Sequence, residues 1–597
     1  MDPFAIISAI ETCYSLGTKL IQICQTWKDA DEEVKQRVVI FESVWVRTKH
    51  QAEFMERVIP IMDDRLKHVH DNLLHQLSAC LILAIHTLET VSKRDATARP
   101  SWFGRRPRAK KASWLWKKEA IDSIITDLRA WRDAFDPSWF MLTIIANPLV
   151  DREVAKARDA EAQTRPLVSE GPDATKKPFA VAAGLRHVLY PQHEQTKEVF
   201  LTDTPMEWRD IPFSSVKAGR PVRGSGTSSD AKWYIVDTVE VGEAARVRDI
   251  ARDVGVLAVK LSRADPLAFG LLNCKGVVAV PRRGQQLRLR QQDLSIRSPP
   301  PPLQVSSSSS SSSPNQHNYS SFRLIFRAPE SIELLQSLRH LLLGSDAHIS
   351  LSRKIRIARE LAKAVSYVHT FAFVHKNIRP ESVLCFEEEQ DLIASPSRRR
   401  INSCAFLVGF DAFRAADAGT LMIGDMRWDR NVYRHPLRQG DDPAAKHTMR
   451  HDIYSFGVCL LEIGLWESFV DYTTTAPIVA SAGMPVPKLG KTYEHFQSWL
   501  RETPTTRRTE MDDNAANVLD TLPFRLKDYL VHQARTRLAP RMGEKYASIV
   551  LLCLTCLDGD DEDFGGVHAS GDDTNDDTAI ALGFIEEVMM SLDEIKV

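Results

Sequence analysis

Apolar residues recur at helical spacing through about the first 160 positions, and that periodicity then gives way to short strand-like runs. A chain that changes its hydrophobic period in this way combines at least two kinds of unit. Its 597 residues also exceed what one hydrophobic core usually holds, so two or three domains are expected.

The opening run, Phe4 to about Lys28, carries Phe4, Ile6, Ile7, Ile10, Tyr14, Leu16, Leu20, Ile21 and Ile23. Glu11 and Lys19 are its only charges before Lys28. Apolar on more than one face, it reads as a helix buried in a bundle or one able to leave it for lipid. Further helices are expected from about Asp31 to Val58, from about Met62 to Val91, and from near Trp114 through Ile121, Ile124, Ile125, Leu128 and Trp131. Four long helices joined by short or medium loops make a bundle, placed at residues 1–158.

Between the third and fourth helices lies a basic stretch with Arg105, Arg106, Arg108, Lys110 and Lys111, interleaved with Trp102, Trp114 and Trp116. Cations and indoles together suit an anionic membrane face; a solvated loop is the alternative. Lys and Arg number 77 against 78 Asp and Glu, which excludes a uniformly basic nucleic-acid binder, and no recognised nucleic-acid fold accompanies the patch. Nine scattered cysteines fit a reducing compartment, with Cys553 and Cys556 expected as buried core thiols rather than metal ligands. The start lacks a basic signal region, and no run reaches the roughly 18 uninterrupted apolar residues of a spanning helix. A cytoplasmic protein with recruitment to the plasma membrane is the expectation.

Residues 159–190 read as a polar linker. Beyond them, Lys232 to Val239 and Phe322 to Phe326 are strand-like and Arg246 to Leu261 is helical. The Pro299–Pro302 and Ser306–Ser313 runs, within an insert at 298–320, cannot bury a core and are expected to be disordered. The amphipathic run Ile355 to His369 then delivers Val374-His375-Lys376-Asn377-Ile378-Arg379-Pro380-Glu381-Ser382-Val383-Leu384. After Leu557 come an acidic stretch and a helix-like end, together 558–597.

The segment at 374–384 resembles the catalytic loop of protein kinases, and Arg450-His451-Asp452-Ile453-Tyr454-Ser455-Phe456-Gly457 resembles the large-lobe helix whose Asp holds that loop. The resemblance implies an α+β bilobal fold over 191–557, with a small lobe at about 191–330 and a large lobe at about 331–557. His375, Pro380, Asp452 and Gly457 keep architectural positions. The chemical positions are altered: Asn377 stands for the catalytic Asp, Ser382 for the metal-binding Asn, Arg379 for the loop Lys and Gly409 for the metal-binding Asp. Leu437 takes the place of the Glu that ends the activation segment. Asp411 lies two residues late, about 6.6 Å along an extended chain, too far for the usual magnesium geometry. Lys260, in Leu257-Ala258-Val259-Lys260, imitates the phosphate-binding lysine motif but sits in a helical stripe. A pseudokinase that requires no cofactor is implied, with ATP and magnesium entering only if Lys260 and Asp411 serve a working Ser/Thr kinase.

The start Met1-Asp2-Pro3-Phe4 and the stretch Phe135-Asp136-Pro137-Ser138-Trp139-Phe140 resemble the HeLo-like helical domain of fungal prion-inhibition and cell-death proteins. The order of parts is similar to that of mixed-lineage kinase domain-like proteins. These resemblances imply a membrane-active bundle governed by a pseudokinase, with anionic lipids, an upstream signalling protein and further copies of the chain as partners. Phe4, Ile7 and Glu11 join the basic stretch as its membrane-contact residues. A signalling scaffold without a membrane step is the remaining alternative.

Overall fold

In the computed structural model, the residues described are 3–27, 32–97, 107–145, 147–163, 178–189, 199–222, 232–241, 247–262, 266–282, 319–328, 335–344, 349–386, 405–415, 426–441, 443–472, 486–503, 515–558 and 573–595. The N-terminal region is helical throughout: α1 (Pro3–Gln25), α2 (Glu32–Val58), α3 (Asp64–Thr97), α4 (Pro107–Ile144), α5 (Pro148–Gln163) and α6 (Pro178–Leu189). Helix α1 packs on α2 and α3, and α4 packs on the other side of the same pair. Ile6, Ile10, Leu20, Phe41, Trp45, Leu73, Leu77 and Trp131 are buried in their shared core.

One glycine contact and four hydrogen bonds explain the close fit. A Cβ on Gly17 would fall 1.9 Å from the Trp45 ring, so α1 and α2 approach as they do only because residue 17 has no side chain. The Trp131 indole donates to the Leu73 carbonyl at 2.7 Å and the Cys13 thiol to the Leu74 carbonyl at 3.4 Å, fixing α4 and α1 to the middle of α3. Buried Asp136, just ahead of Pro137, accepts from Arg47 at 2.6 Å and Gln51 at 3.0 Å, bridging α4 to α2.

Two boundaries differ from expectation. Helix α4 starts at Pro107, where a proline at a first helical turn sacrifices no hydrogen bond, so Arg108, Lys110, Lys111 and Trp114 belong to a helix rather than a loop. The span read as a linker contains α6, which is apolar enough to bury Phe179 and Ala182. Its Arg186 donates to the Thr143 and Ile145 carbonyls at 2.5 and 2.8 Å and to Asp151, satisfying the open C-terminal end of α4.

A six-stranded sheet follows, built from β1 (Phe200–Leu201), β2 (Met206–Asp210), β3 (Lys217–Pro221), β4 (Tyr234–Glu240), β5 (Cys274–Pro281) and β6 (Tyr319–Arg327). Its order is β1-β5-β6-β4-β3-β2; β1 and β5 are parallel and the other pairs antiparallel. Helix α7 (Val247–Ser262) packs against β5 and β6, and α8 (Pro266–Phe269) leads into β5.

The rest is mostly helical. In chain order it comprises β7 (Leu335–Ser337), α9 (Leu338–Leu343), α10 (Leu351–Thr370), β8 (Phe373–Val374), β9 (Val383–Phe386), β10 (Ala405–Leu407), β11 (Arg414–Ala415), α11 (Trp428–Asn431), α12 (Met449–Leu465), α13 (Lys491–Glu502), α14 (Ala515–Gln533), α15 (Glu544–Thr555) and α16 (Asp573–Gly583). Helix α14 runs on through a wide turn to Met542, and α16 through another, Phe584–Met590, to Asp593. Every residue of α12 is buried, which makes it the central pillar. A Cβ on its Gly457 would lie 2.6 Å from that of Cys553, so α15 crosses at the glycine. Phe140 of α4 meets Phe269 and Tyr367 edge-on at 5.3 and 5.9 Å, joining the helical N-terminal region to the α+β region in one core.

Residues 298–318 of the expected insert and 559–572 of the acidic stretch lie outside the described residues. Among the described residues the eight cysteines form no disulfide, and Cys553 and Cys556 are among the seven that are buried. Helices Phe4–Gln25 and Asp64–Lys93 are long and apolar enough to cross a membrane by length and composition, although neither is uninterrupted in sequence.

Candidate functional site

The loop at 375–382 sits where the sheet meets the helical part of the α+β region. Strand β8 ends at Val374, and Pro380 opens a single tight turn, Pro380–Ser382, that leads into β9. Lys376 adopts φ 66°, a left-handed conformation costing a non-glycine residue about 1 kcal/mol or more. What offsets it is Asp452, in the first turn of α12. This carboxylate accepts from the His375 and Lys376 backbone N–H groups at 2.7 and 2.9 Å and from His447 Nε2 at 3.0 Å, with His369 Nε2 at 3.4 Å. Burial alone would raise the Asp452 pKa; the two imidazole donors hold it well below the usual carboxylate range. Burial also lowers the pKa values of His447 and His375 to about 4.

Asn377 is fully engaged. Its Nδ2 donates to the Gly409 carbonyl at 3.1 Å and to Asp411 Oδ1 at 2.7 Å, while its Oδ1 accepts from Arg379 Nε at 2.7 Å. The Ser382 hydroxyl lies 2.7 Å from the Asn377 carbonyl and accepts from the Arg379 backbone at 3.1 Å. An amide is no general base, because its oxygen is too weakly basic to take a proton in the working range.

Gly409 is left-handed at φ 85° and is gripped from the sheet side by Asp237 of β4, whose Oδ2 accepts from the Gly409 and Phe410 N–H groups at 2.9 and 2.6 Å. Burial first, and the nearby Asp411 charge second, raise the Asp237 pKa to about 7. A Cβ on Gly409 would fall 2.8 Å from Ser215 Oγ, 2.9 Å from Ser382 Cβ and 3.2 Å from Asn377 Nδ2. The space beside Gly409 is therefore already filled.

Beside the loop's own Ser382 and Asn377, the nearest filling atom comes from the turn between β2 and β3. Ser215 donates its N–H to the Glu381 carbonyl at 3.0 Å, and Ser337 Oγ donates to the Pro212 carbonyl at 2.6 Å. Phe213, at φ 52°, packs on His340 and Tyr472. Below it, wholly buried Arg339 donates to Glu381 at 3.0 Å and to Glu462 at 2.8 Å and also meets Tyr433. Burial opposes the Glu381 charge, but Arg339 and Arg379 outweigh it and bring the pKa down to about 2. Glu462, where burial dominates, is raised.

Lys260 meets the chain just ahead of the loop. It lies on α7, not on a strand, and its ammonium donates to the Phe371 carbonyl at 2.6 Å over the Phe373 ring. Leu437 is half-buried in the short turn Pro436–Arg438. Among the described residues no group of three or more His, Cys, Asp or Glu side chains is arranged to hold a metal.

Of the residues assigned to a membrane surface, Phe4 is 75% exposed and Trp116 42%, Glu11 is exposed and Ile7 half-buried. Trp102, Arg105 and Arg106 lie outside the described residues, as do the side chains of Arg108, Lys110, Lys111 and Trp114. Asp237, Ser215 and the Arg339 cluster escape a reading of the loop alone. Asp237 is a single carboxylate inside the strand-like run Lys232 to Val239, and Arg339 finds Glu462 across 123 residues. No protein-family model matches this chain and no curated protein matches it in sequence, so the geometry of the junction stands as the ground for a functional reading.

Proposed function

We propose that residues 191–557 form a pseudokinase that regulates a membrane-active N-terminal bundle. The observation that carries this reading is the filled space at Gly409, occupied by Ser215, Ser382 and Asn377. Protein kinases need a carboxylate at that position for magnesium, a catalytic Asp in the loop, and a strand lysine on the phosphates. In this alignment Gly409, Asn377 and, on β4, Asp237 take those places. A carboxylate where a phosphate binds repels it, so the residues present do not fit a magnesium nucleotide.

The output then falls to the helical N-terminal region, by a change of state rather than by chemistry. Its α1 has Phe4 exposed, yet Ile6, Ile10 and Leu20 are in the core, so reaching lipid requires α1 to leave α2 and α3. A trigger must favour the opened state for that to happen.

Vesicle leakage tests the reading. Full-length Gly17→Ala, which crowds Trp45 and loosens α1, is expected to release dye from anionic vesicles faster than the wild type and to leave zwitterionic vesicles intact. Absence of binding to anionic vesicles at low salt by both proteins overturns the membrane step. Phosphotransfer that disappears in Asp411→Asn overturns the pseudokinase assignment.

A further inference from the structure

The C-terminal segment from Asp573 to Asp593 lies between the two regions of the protein. One side of it contacts α3 and α4, and the other contacts α10, α12 and α15. Its composition explains why. Ile580, Ala581, Leu582, Phe584, Ile585, Val588, Met589, Met590 and Leu592 are all buried, an apolar surface that wraps most of the way round the helix. A helix resting on one surface shows a single apolar stripe, whereas this one is covered on two.

Each side has its own polar anchors. Toward α10, Arg359 donates to the Leu592 carbonyl at 3.0 Å, to the Asp593 carbonyl at 3.2 Å and to the Ile595 carbonyl at 2.6 Å, and pairs with the Asp593 carboxylate at 3.4 Å. A guanidinium placed on the open carbonyls of a helix C-terminus is favourable both as a cap and through the helix dipole. Phe584 packs on His369 and Phe456 at 6.1 and 5.5 Å. Toward α3, Glu586 accepts from Asn72 at 2.5 Å, with His68 at 3.3 Å, and Glu594 accepts from Gln76 at 3.0 Å.

We infer that residues 573–595 are a strap that couples the N-terminal helices to the α+β region, so that loosening its hold on one side loosens the other. The inference is independent of any membrane or kinase-like role. The surface that the strap occupies is a groove for an amphipathic helix with glutamates along one edge, the chemistry any competing partner has to reproduce. Coupling of this kind is reciprocal, because both sides draw on one binding equilibrium.

Hydrogen exchange on the full-length protein tests it. In Arg359→Ala, amide exchange is expected to rise about tenfold or more across residues 580–593 and to rise in the Leu66–Leu77 part of α3 as well, although the hydrogen bonds of Arg359 go to the strap itself. Faster exchange in the strap with α3 unchanged overturns the coupling. So does unchanged exchange in both. Should Arg359→Ala fail to fold, the surface pair Asn72→Ala with Gln76→Ala poses the question from the opposite side. There the expected rise is at the Arg359 end of α10, and its absence overturns the inference.

Discussion

The helical N-terminal region and the junction around Asp452 are both tightly packed, but they are held by opposite means. The bundle core is built mainly from aliphatic and aromatic side chains, with Asp136, Gln51, His70 and Arg132 among its buried polar minority and half-buried Arg47 reaching in to Asp136. The junction gathers Arg339, Glu381, Glu462, Asp452 and buried His369, His375, His435, His447 and His451. Apolar burial is non-directional and tolerates sliding, while buried charge is satisfied in one arrangement only. The N-terminal core is thus held by packing, and the junction by polar partners that require one arrangement.

Acid should separate the two most sharply. Burial lowers His375 and His447 to about 4, His435 to about 3 and His451 to about 2, whereas in the bundle core only His70, at about 4, is lowered among the described residues. Their unfolded pKa is about 6.5, so below that pH the unfolded chain binds protons the native one refuses. Their contribution is complete above pH 6.5 and is lost as the pH falls toward the folded values, by up to about 1.4 kcal/mol per pH unit for each histidine. Asp237, raised to about 7, and Glu462, also raised by burial, work the other way. Hydrogen exchange between pH 7 and 5 should show the α12 region opening before α1 and α2; simultaneous opening, or α1 and α2 going first, breaks the comparison.

Removing the junction's cation comes next in size. Arg339→Ala leaves Glu381 and Glu462 buried without their shared partner, and a cost of about 3–5 kcal/mol is expected in denaturant unfolding. A loss below about 1 kcal/mol, the scale of an exposed ion pair, would show that solvent reaches the cluster. The smallest effect belongs to the bundle. Gly17→Ala forces Trp45 aside and should cost about 1–3 kcal/mol, with faster exchange confined to α1 and α2. Spread of that effect to α12 would mean the two regions melt as one unit.

How much of this was readable beforehand follows the same division. The stripes of α1 to α4 and the strand at Tyr234–Glu240 were legible because they are local patterns of apolar residues. Helix α6 was lost inside a span whose first part, to Lys177, is polar, although Pro178 to Leu189 is largely apolar. The sequence Leu257 to Lys260 imitates a strand motif, and only the helical stripe through α7 betrays it. The altered residues of the loop were plain, but not that the β2–β3 turn closes over them. Glu586 meets Asn72 across 514 residues, and no local pattern announces such a contact.

The distribution of thiols has a practical consequence. Cys13 and Cys24 lie in the bundle, and Cys274, Cys459 and Cys553 in the α+β region, all with pKa values raised by burial. A folded molecule therefore withholds both the access and the thiolate that an alkylating reagent needs. Each region carries its own chemical clock, and the order in which these sulfurs become labelled records, without any substitution, which half of the molecule opens first.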